Sequence, residues 1–329
     1  MILLVKIFME YNNLSTTSLR KLLLHILSKW NIEEEVCIRI CNSLLLAHSN
    51  GHPSHGIQLL PTYKKWLDKK LLNNKALITN IENKNIYIYD AHKTFGHYVL
   101  PFIFQKHILL SNETGISSFG INNMGHAGYL KAIWQYIESK NHICILLSNM
   151  MGSKLVAPYG SSKKHMSTSC ISAYVSDNFC FDMTLANNSE NFIKHCYIAG
   201  GKLKNPLIIN NNLTYDPKEL YNNTDQNPLS SDAAIIFDSY KLFNLAILIE
   251  LICGTLVKTN RKDISSFYSN IFGIVINTQS INKNFTDDVC TYLNYLESTD
   301  TYIPKNTKIK EIINLSTVEL EILTKLSKE

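Results

Sequence analysis

The stretch Gly115-Ile116-Ser117-Ser118-Phe119-Gly120-Ile121-Asn122-Asn123-Met124-Gly125-His126-Ala127-Gly128-Tyr129 passes from a β-branched and aromatic run into a turn of asparagine and glycine, and an apolar helical pattern follows. The first half has strand composition over Gly115 to Ile121, and the helical spacing continues through Ala127 to Ser139. A strand running through a glycine-opened turn into a helix places backbone amides where an anion or a cofactor phosphate is held, with His126 at the same end of the sheet. An ordinary capped turn has the same residues, so the turn alone leaves both readings open. It lacks G-x-G-x-x-G, which excludes a Rossmann fingerprint at this point.

Outward from this stretch the alternation repeats. Strand-like runs lie at Ile86 to Tyr89, Ile143 to Ser148, Ser172 to Val175, Ala233 to Phe237 and Gly273 to Asn277. Helical patterns lie at Gly96 to Leu110, Leu242 to Thr259 and about Thr286 to Leu296. Interleaved strands and helices predict an α/β or α+β core. Ahead of it, Ser15 to Trp30 places Leu19, Leu22, Leu23, Ile26 and Leu27 on one face, and Glu33 to Ser49 does the same with Val36, Ile40, Leu44 and Leu45. A short helix is expected at Tyr63 to Leu71, and Ile309 to Lys328 reads as a last amphipathic segment. With no linker in view, the expected organisation is an N-terminal helical subdomain over 1–75, a central α/β cofactor-binding unit over 76–275, and a C-terminal helical segment over 276–329 packed back on the N-terminal part.

Composition narrows the class. The 329 residues are 45% hydrophobic and 18% charged, enough apolar surface to form a core. The net charge of +5 is spread along the chain, and its arginines are Arg20, Arg39 and Arg261. Bidentate recognition of phosphate or bases therefore has few residues to work with, and nucleic acid is not an expected partner. The eight cysteines show no C-x-x-C spacing and read as buried free thiols. Met1 to Met9 is short and lacks a cleavage site, and the apolar run Leu245 to Val257 is interrupted by Glu250 and falls short of a membrane span. The expectation is a folded cytoplasmic protein that does not enter the membrane.

Chemistry-bearing residues gather in turns. Gly51-His52-Pro53-Ser54-His55-Gly56 follows a helix that ends in Ala47-His48-Ser49. Histidine exchanges protons near neutral pH, and Ser54 is placed to orient His55 or relay its proton. A capped polar turn is the plain alternative. His52 and His55 stand three apart without a third ligand, so no metal site is expected. Other clusters are Ala157-Pro158-Tyr159-Gly160-Ser161-Ser162, Phe181-Asp182-Met183 and Asp238-Ser239-Tyr240-Lys241. Asp182 reads as a strand-end residue, either a turn cap or a holder of a histidine or cofactor hydroxyl. Lys241 opens a helix, where a cation opposes the helix dipole, and a nearby anion or acidic residue is expected to compensate it.

Taken in order, these clusters resemble the type-2 malate/L-lactate dehydrogenase family. Ser54-His55-Gly56 matches its S-H-G element, with Leu60-Pro61 and Tyr63 where the family has L-P-x-Y. Asn123-Met124-Gly125-His126-Ala127-Gly128 matches N-S-x-H-x-G, and Ala157-Pro158-Tyr159-Gly160 matches A-P-W-G. Thr168 is what remains of L-G-T-N-P, Asp182-Met183 of D-M-A-T-S, and Lys241 of H-K-G-x-G, while Thr214-Tyr215-Asp216-Pro217 matches T-x-D-P. The resemblance runs from about Leu14 to about Leu296. It departs from the pattern at Leu59, where the family has a carboxylate-clamping arginine, and at Leu242 and Asn244, where it has glycines. Lys64, Lys65 and Arg39 are the cations considered as substitutes for that arginine.

The resemblance implies a sulfolactate-dehydrogenase-like α/β fold, a mixed sheet flanked by helices with a non-Rossmann cofactor site. It further implies a homodimer that binds NAD or NADP and moves a hydride to or from the C=O or C=N group of a small-molecule substrate, a 2-oxo acid or cyclic imine. His55 is then the proton donor or acceptor, assisted by Ser54, and His126 lines the same pocket. Asp182, Met183, Lys241, Gly160 and Thr168 are the implied cofactor-binding residues, Lys241 acting by charge. The alternative is a member that keeps the fold as a non-catalytic binding or scaffold protein.

Overall fold

The computed structural model describes residues 11–83, 86–223, 227–257 and 268–329. Met1 to Met9, read above for a leader, therefore lies outside the described residues, as do residues 224–226 and Arg261.

The strands are β1 (Tyr11–Ser15), β2 (Thr79–Asn83), β3 (Tyr87–Asp90), β4 (Ile116–Met124), β5 (His142–Met151), β6 (Cys170–Ser176), β7 (Phe179–Thr184), β8 (Leu207–Ile209), β9 (Asn212–Thr214), β10 (Tyr268–Asn277) and β11 (Ile312–Ser316). The α-helices are α1 (Thr16–Lys29), α2 (Glu34–Ser49), α3 (Leu60–Asp68), α4 (Gly96–Thr114), α5 (Glu190–Ile198), α6 (Lys218–Tyr221), α7 (Tyr240–Ile249), α8 (Phe285–Glu297) and α9 (Thr317–Lys328). A seven-stranded sheet runs in the order β2-β3-β4-β10-β5-β6-β7. Its one parallel pair, β3 with β4, is joined by α4 as a crossover, and the other pairs are antiparallel.

At the centre β10 lies between β4 and β5, with Gly273 opposite Phe119 and Leu146. A Cβ at Gly273 would stand 2.2 Å from the Phe119 ring, so this position accepts only glycine without moving the ring. One face of the sheet buries Phe104, Phe119, Trp134 and Tyr174 under α4. The other buries Val156, Leu207, Ile235, Ile249 and Phe272 under α7 and its neighbours. The sheet thus has helices on both faces, as the sequence predicts.

A third core joins the chain ends. Leu19, Leu23, Ile26 and Leu27 of α1 and Val36, Ile40 and Leu44 of α2 pack with Ile313, Leu315, Leu323 and Leu326. β1 pairs antiparallel with β11, and Ser316 caps α9 reciprocally with Glu319. The final segment is therefore a strand followed by a helix, not a single amphipathic helix.

Three further expectations are corrected. Ala127 to Ser139 forms only a 3-10 helix over Leu130–Tyr136, because Gly128 at φ +65° and extended Tyr129 hold the chain open before it. Ala233 to Phe237 is no strand. Its central residues make isolated bridges, Ala234 to Ile208 and Ile235 to Val156, because neighbours on each side accept one residue apiece. The Leu242 pattern begins as α7 and widens into a π-helix over Glu250–Leu256. At this widening the Glu250 carboxylate accepts from Ser167 Oγ at 2.6 Å, Ser169 Oγ at 3.3 Å and Asn149 Nδ2 at 2.9 Å. These donors hold the helix end against the ends of β5 and β6. Among the described residues, no helix is long and apolar enough to cross a membrane.

Candidate active site

The turn after α2 is fixed by its own backbone. His52 N–H donates to Ala47 O at 2.9 Å, Pro53 starts a 3-10 turn over Pro53–His55, and a second follows over Ile57–Leu59 before α3. Ile57, Leu59 and Leu60 are buried, which anchors the far side of the turn in the helical core. Ser54 is buried, and its Oγ lies 3.2 Å from His55 Nδ1. Leu59 lies in that core too, so its position offers no charge to a ligand.

Facing this turn is His126, set at the end of β4. Gly128 N–H donates to His126 Nδ1 at 3.2 Å, so that nitrogen is unprotonated in the neutral ring. Tyr63 Oη, from α3, lies 3.0 Å from the same Nδ1 and 3.3 Å from His97 Nε2. Complete burial pushes the Tyr63 phenol well above its ordinary range, so it stays protonated and donates to His126 while accepting from His97 Nε2–H. The buried His97 Nδ1 has no partner, consistent with its proton being on the other nitrogen. The relay His97 to Tyr63 to His126 therefore leaves His126 with its proton on Nε2.

Burial sets the protonation state of this group. Burial holds His55 down to about 3, aided by His126 and His52. Burial likewise holds His126 and His97 at about 3, each far below the ordinary histidine value. The cluster is neutral at pH 7. Trp66 packs against the His126 ring with centroids 5.7 Å apart, and His52 packs on Tyr129 at 5.1 Å.

The other predicted residues divide between this cluster and a more distant group. Asp182 lies within β7 and not at its end, and its Oδ2 accepts from Lys131 N–H at 3.4 Å. Burial raises its carboxyl to about 7, and the Lys131 amide and charge moderate the rise. Met183, the next residue of the same strand, turns to the opposite face of the sheet and is exposed. Gly160 sits in an exposed turn at φ +83° facing open space, beside Tyr159, whose ring lies 6.4 Å from that of Tyr240. Lys241 is exposed in the first turn of α7. Thr168 contributes its carbonyl to Thr184 Oγ1 at 2.8 Å. Among the described residues, no hydrogen bond, ion pair or ring contact links Gly160, Thr168 or Lys241 to His55 or His126.

Of the cations considered in place of an arginine at Leu59, Lys64 is paired with Asp68 at 2.6 Å and Arg39 lies over the Tyr136 ring and near Glu35, while Lys65 is exposed. Sequence reasoning missed His97 and Lys131. Lys131 had a signal, since it is the one charge in the apolar run Tyr129-Leu130-Lys131-Ala132-Ile133-Trp134.

The mixed sheet and its helical layers define a sulfolactate-dehydrogenase-like α/β protein. The fold superposes on malate dehydrogenase from Entamoeba histolytica with a TM-score of 0.84 at 19% identity, covering 97% of this chain and 98% of that one. It also matches Δ1-piperideine-2-carboxylate reductase from Pseudomonas syringae, with a TM-score of 0.79 at 17% identity over 96% of this chain and 99% of the other. In sequence, the chain is 23% identical to hydroxycarboxylate dehydrogenase B of Escherichia coli over 231 residues, 68% of this chain and 62% of that protein. It is 24% identical to L-sulfolactate dehydrogenase of Methanothermobacter thermautotrophicus over 243 residues, 72% of this chain and 68% of the relative. Residues 14–309 match the malate/L-lactate dehydrogenase family, and the chain belongs to that family.

Proposed function

We propose that this protein is an NAD- or NADP-dependent oxidoreductase that moves a hydride to or from the C=O or C=N carbon of a 2-oxo acid, cyclic imine or related small metabolite. The observation that carries the reading is the neutral pair His55 and His126, one hydrogen-bonded to Ser54 and the other fixed by the Tyr63 relay. A scaffold has no requirement for such a relay, and no observation favours that alternative.

The residues fit a nicotinamide dinucleotide in charge and access. The exposed Lys241 ammonium at the start of α7 suits its phosphates, and the open Gly160 turn with Tyr159 and Tyr240 suits an aromatic group. The nicotinamide supplies or accepts the hydride, which is chemistry that no side chain performs.

His55 handles the proton. Its Nδ1 faces Ser54 Oγ, which leaves Nε2 to meet the substrate heteroatom. In the oxidative direction, neutral His55 takes the proton of the substrate hydroxyl or amine as that group becomes C=O or C=N. In the reductive direction, a bound anionic substrate raises the proton affinity of the ring, and the imidazolium gives its proton to the developing alkoxide or amine. His126 Nε2–H donates to the same heteroatom and orients it. The reading carries with it a cytoplasmic homodimer whose eight thiols stay reduced.

The test begins with titration of the purified protein by NADH and NADPH, followed through nicotinamide fluorescence. Saturable binding of either is expected, and failure of both in folded protein would overturn the reading. His55→Asn should then abolish turnover in a screen of 2-oxo acids and cyclic imines and leave nicotinamide affinity within about threefold.

A further inference from the structure

The last helix closes on the turn that carries His55. At its start Glu319 completes the capping box with Ser316, and one carboxylate oxygen suffices for that: Oε2 accepts from Ser316 N–H at 2.8 Å. The other oxygen is engaged elsewhere. Oε1 accepts from Gln58 Nε2 at 2.9 Å, across 261 positions of sequence, and Glu319 is only 2% exposed. A helix cap works at the surface, so α9 alone does not require a buried carboxylate with a second, distant donor. Withdrawing a carboxylate from water is unfavourable unless donors meet it, and the donor at Oε1 follows His55 in the same turn.

Gln58 is held from two sides. Its carboxamide also meets His195 Nδ1 on α5, with Nε2 at 3.1 Å and Oε1 at 3.2 Å. Between His55 and Gln58 the chain rests on the His48 ring, since a Cβ at Gly56 would stand 2.9 Å from His48 Nδ1. That Nδ1 is buried and has no hydrogen-bond partner among the described residues, while Nε2 lies 3.1 Å from Asn314 O on β11 and 3.6 Å from Glu319 Oε2. Burial pushes His48 below its ordinary value, so the ring is neutral, Nε2–H donates to Asn314 O, and the bare Nδ1 is left against the glycine. The His55 segment itself consists of two short 3-10 turns, a weak local structure whose position is set by contacts from outside it.

We propose that Gln58 and Glu319 are positioning residues for proton transfer: the capping carboxylate of the last helix, acting through the Gln58 amide, holds the Ser54 and His55 pair in register with the reacting heteroatom. This rests on the hydride-transfer reading above and adds the residues that set the geometry of its proton step. A displacement of about 1 Å in a reacting group costs on the order of 100-fold in rate. The Gln58 hydrogen bond therefore matters more to turnover than to stability.

The experiment compares full-length Gln58→Met, Glu319→Gln, Gln58→Glu, the double variant Gln58→Glu/Glu319→Gln, and Ser316→Ala. Each has its melting curve, its affinity for NADH and NADPH, and its turnover of the most active acid or imine of the screen. Gln58→Met keeps the side-chain length and loses the amide. Its kcat should fall about 30-fold with KM and nicotinamide affinity within about threefold, and its solvent deuterium isotope effect on kcat should rise as proton transfer becomes limiting. Gln58→Glu sets two carboxylates together and should lose more, whereas in the double variant amide and carboxylate change places and kcat should recover to within about threefold of the wild type. Ser316→Ala weakens the cap and leaves the Gln58 bond, so it should lower the melting temperature and keep kcat. A parallel spectrum of the full chain with 15N-labelled histidine, in which His55 is assigned by its loss in His55→Asn, needs no ligand. The His55 nitrogen shifts should move in Gln58→Met and return in the double variant, and stay in place in Ser316→Ala. Unchanged kcat and His55 shifts in Gln58→Met would overturn the proposal, as would a loss of kcat in Ser316→Ala equal to that in Gln58→Met. In a folded protein that binds neither nucleotide the hydride-transfer reading falls, and the spectra still decide the positioning: unmoved His55 shifts overturn it, and shifts confined to the Gln58 and Glu319 variants uphold it.

Discussion

Tyr63 Oη lies 3.0 Å from His126 Nδ1, and with the amide of Gly128 it fixes which nitrogen of that ring carries the proton. Tyr63→Phe removes the hydroxyl and leaves His97 Nε2–H without its acceptor in a fully buried position. The expected result is a loss of about 1–3 kcal/mol of stability, the usual cost of a buried unpaired polar group. Turnover should fall by about 10- to 100-fold with nicotinamide affinity unchanged, because Gly128 alone holds the tautomer less firmly. Steady-state kinetics beside the melting curve checks both parts, and full turnover in the variant would show that the relay is only structural.

Lys241 occupies the first turn of α7, where the helix dipole disfavours a cation. Removing it therefore relieves a local cost while removing charge from the proposed phosphate site. Lys241→Gln should leave stability unchanged or raise it slightly, weaken NADH binding by about five- to thirtyfold, and flatten its salt dependence. Nicotinamide fluorescence titrations at two ionic strengths measure this. Equal affinities in wild type and variant would remove Lys241 from the cofactor site.

Much of the fold was legible because its elements follow simple periodicities. The core faces of α1 and α2 were read from Leu19, Leu23 and Ile26 and from Val36, Ile40 and Leu44, and all six are buried. The strands about Phe119, Ile145 and Ile274 also fall where their β-branched composition put them. The missed elements are those whose conformation is set at a distance. β7 carries Asp182 and Lys131 meets it only after the chain folds back, and the π-helix at Glu250 forms around donors from Asn149, Ser167 and Ser169, about 80–100 residues away in sequence. The proton-bearing turn was visible as Ser54-His55-Gly56, since glycine and proline mark it locally. The Tyr63 and His97 pairing was not, because a tyrosine on one helix and a histidine on another carry no spacing that links them.

Acid should unfold this protein earlier than its charge suggests. Burial depresses His97 to about 3 and His107 to about 4, and both are almost fully enclosed. An unfolded histidine takes its proton near pH 6.5, so between about pH 6.5 and 4 the unfolded chain binds protons that these folded residues refuse. Their contribution is full above pH 6.5 and is lost as pH falls, by about 1.4 kcal/mol per pH unit for each histidine. His55 and His126 act in the same direction. Asp182 acts the other way, because its folded carboxyl, raised to about 7, takes a proton before the unfolded one does. The histidines outweigh it, and the melting temperature should fall steeply from pH 6.5 to 4.5. A flat profile across that range would show that the imidazoles are hydrated in the folded state.

The centre of the sheet offers a sharper steric test. Gly273 on β10 faces the Phe119 ring across the strand pair, and an added Cβ would lie 2.2 Å from its Cζ. The ring has little room to withdraw, since Phe104 packs edge-on at 5.0 Å and His107 lies tilted against it at 4.5 Å. Gly273→Ala should therefore cost about 2–4 kcal/mol, in the range of overpacked cores. Phe119→Leu alone removes part of a buried aromatic side chain and is expected to cost about 1–3 kcal/mol. The double variant should be more stable than the sum of the two losses allows, because the smaller leucine vacates the space the new methyl needs. Chemical denaturation of the four proteins measures the coupling, and strict additivity would mean that the strands, and not the ring, absorb the added methyl.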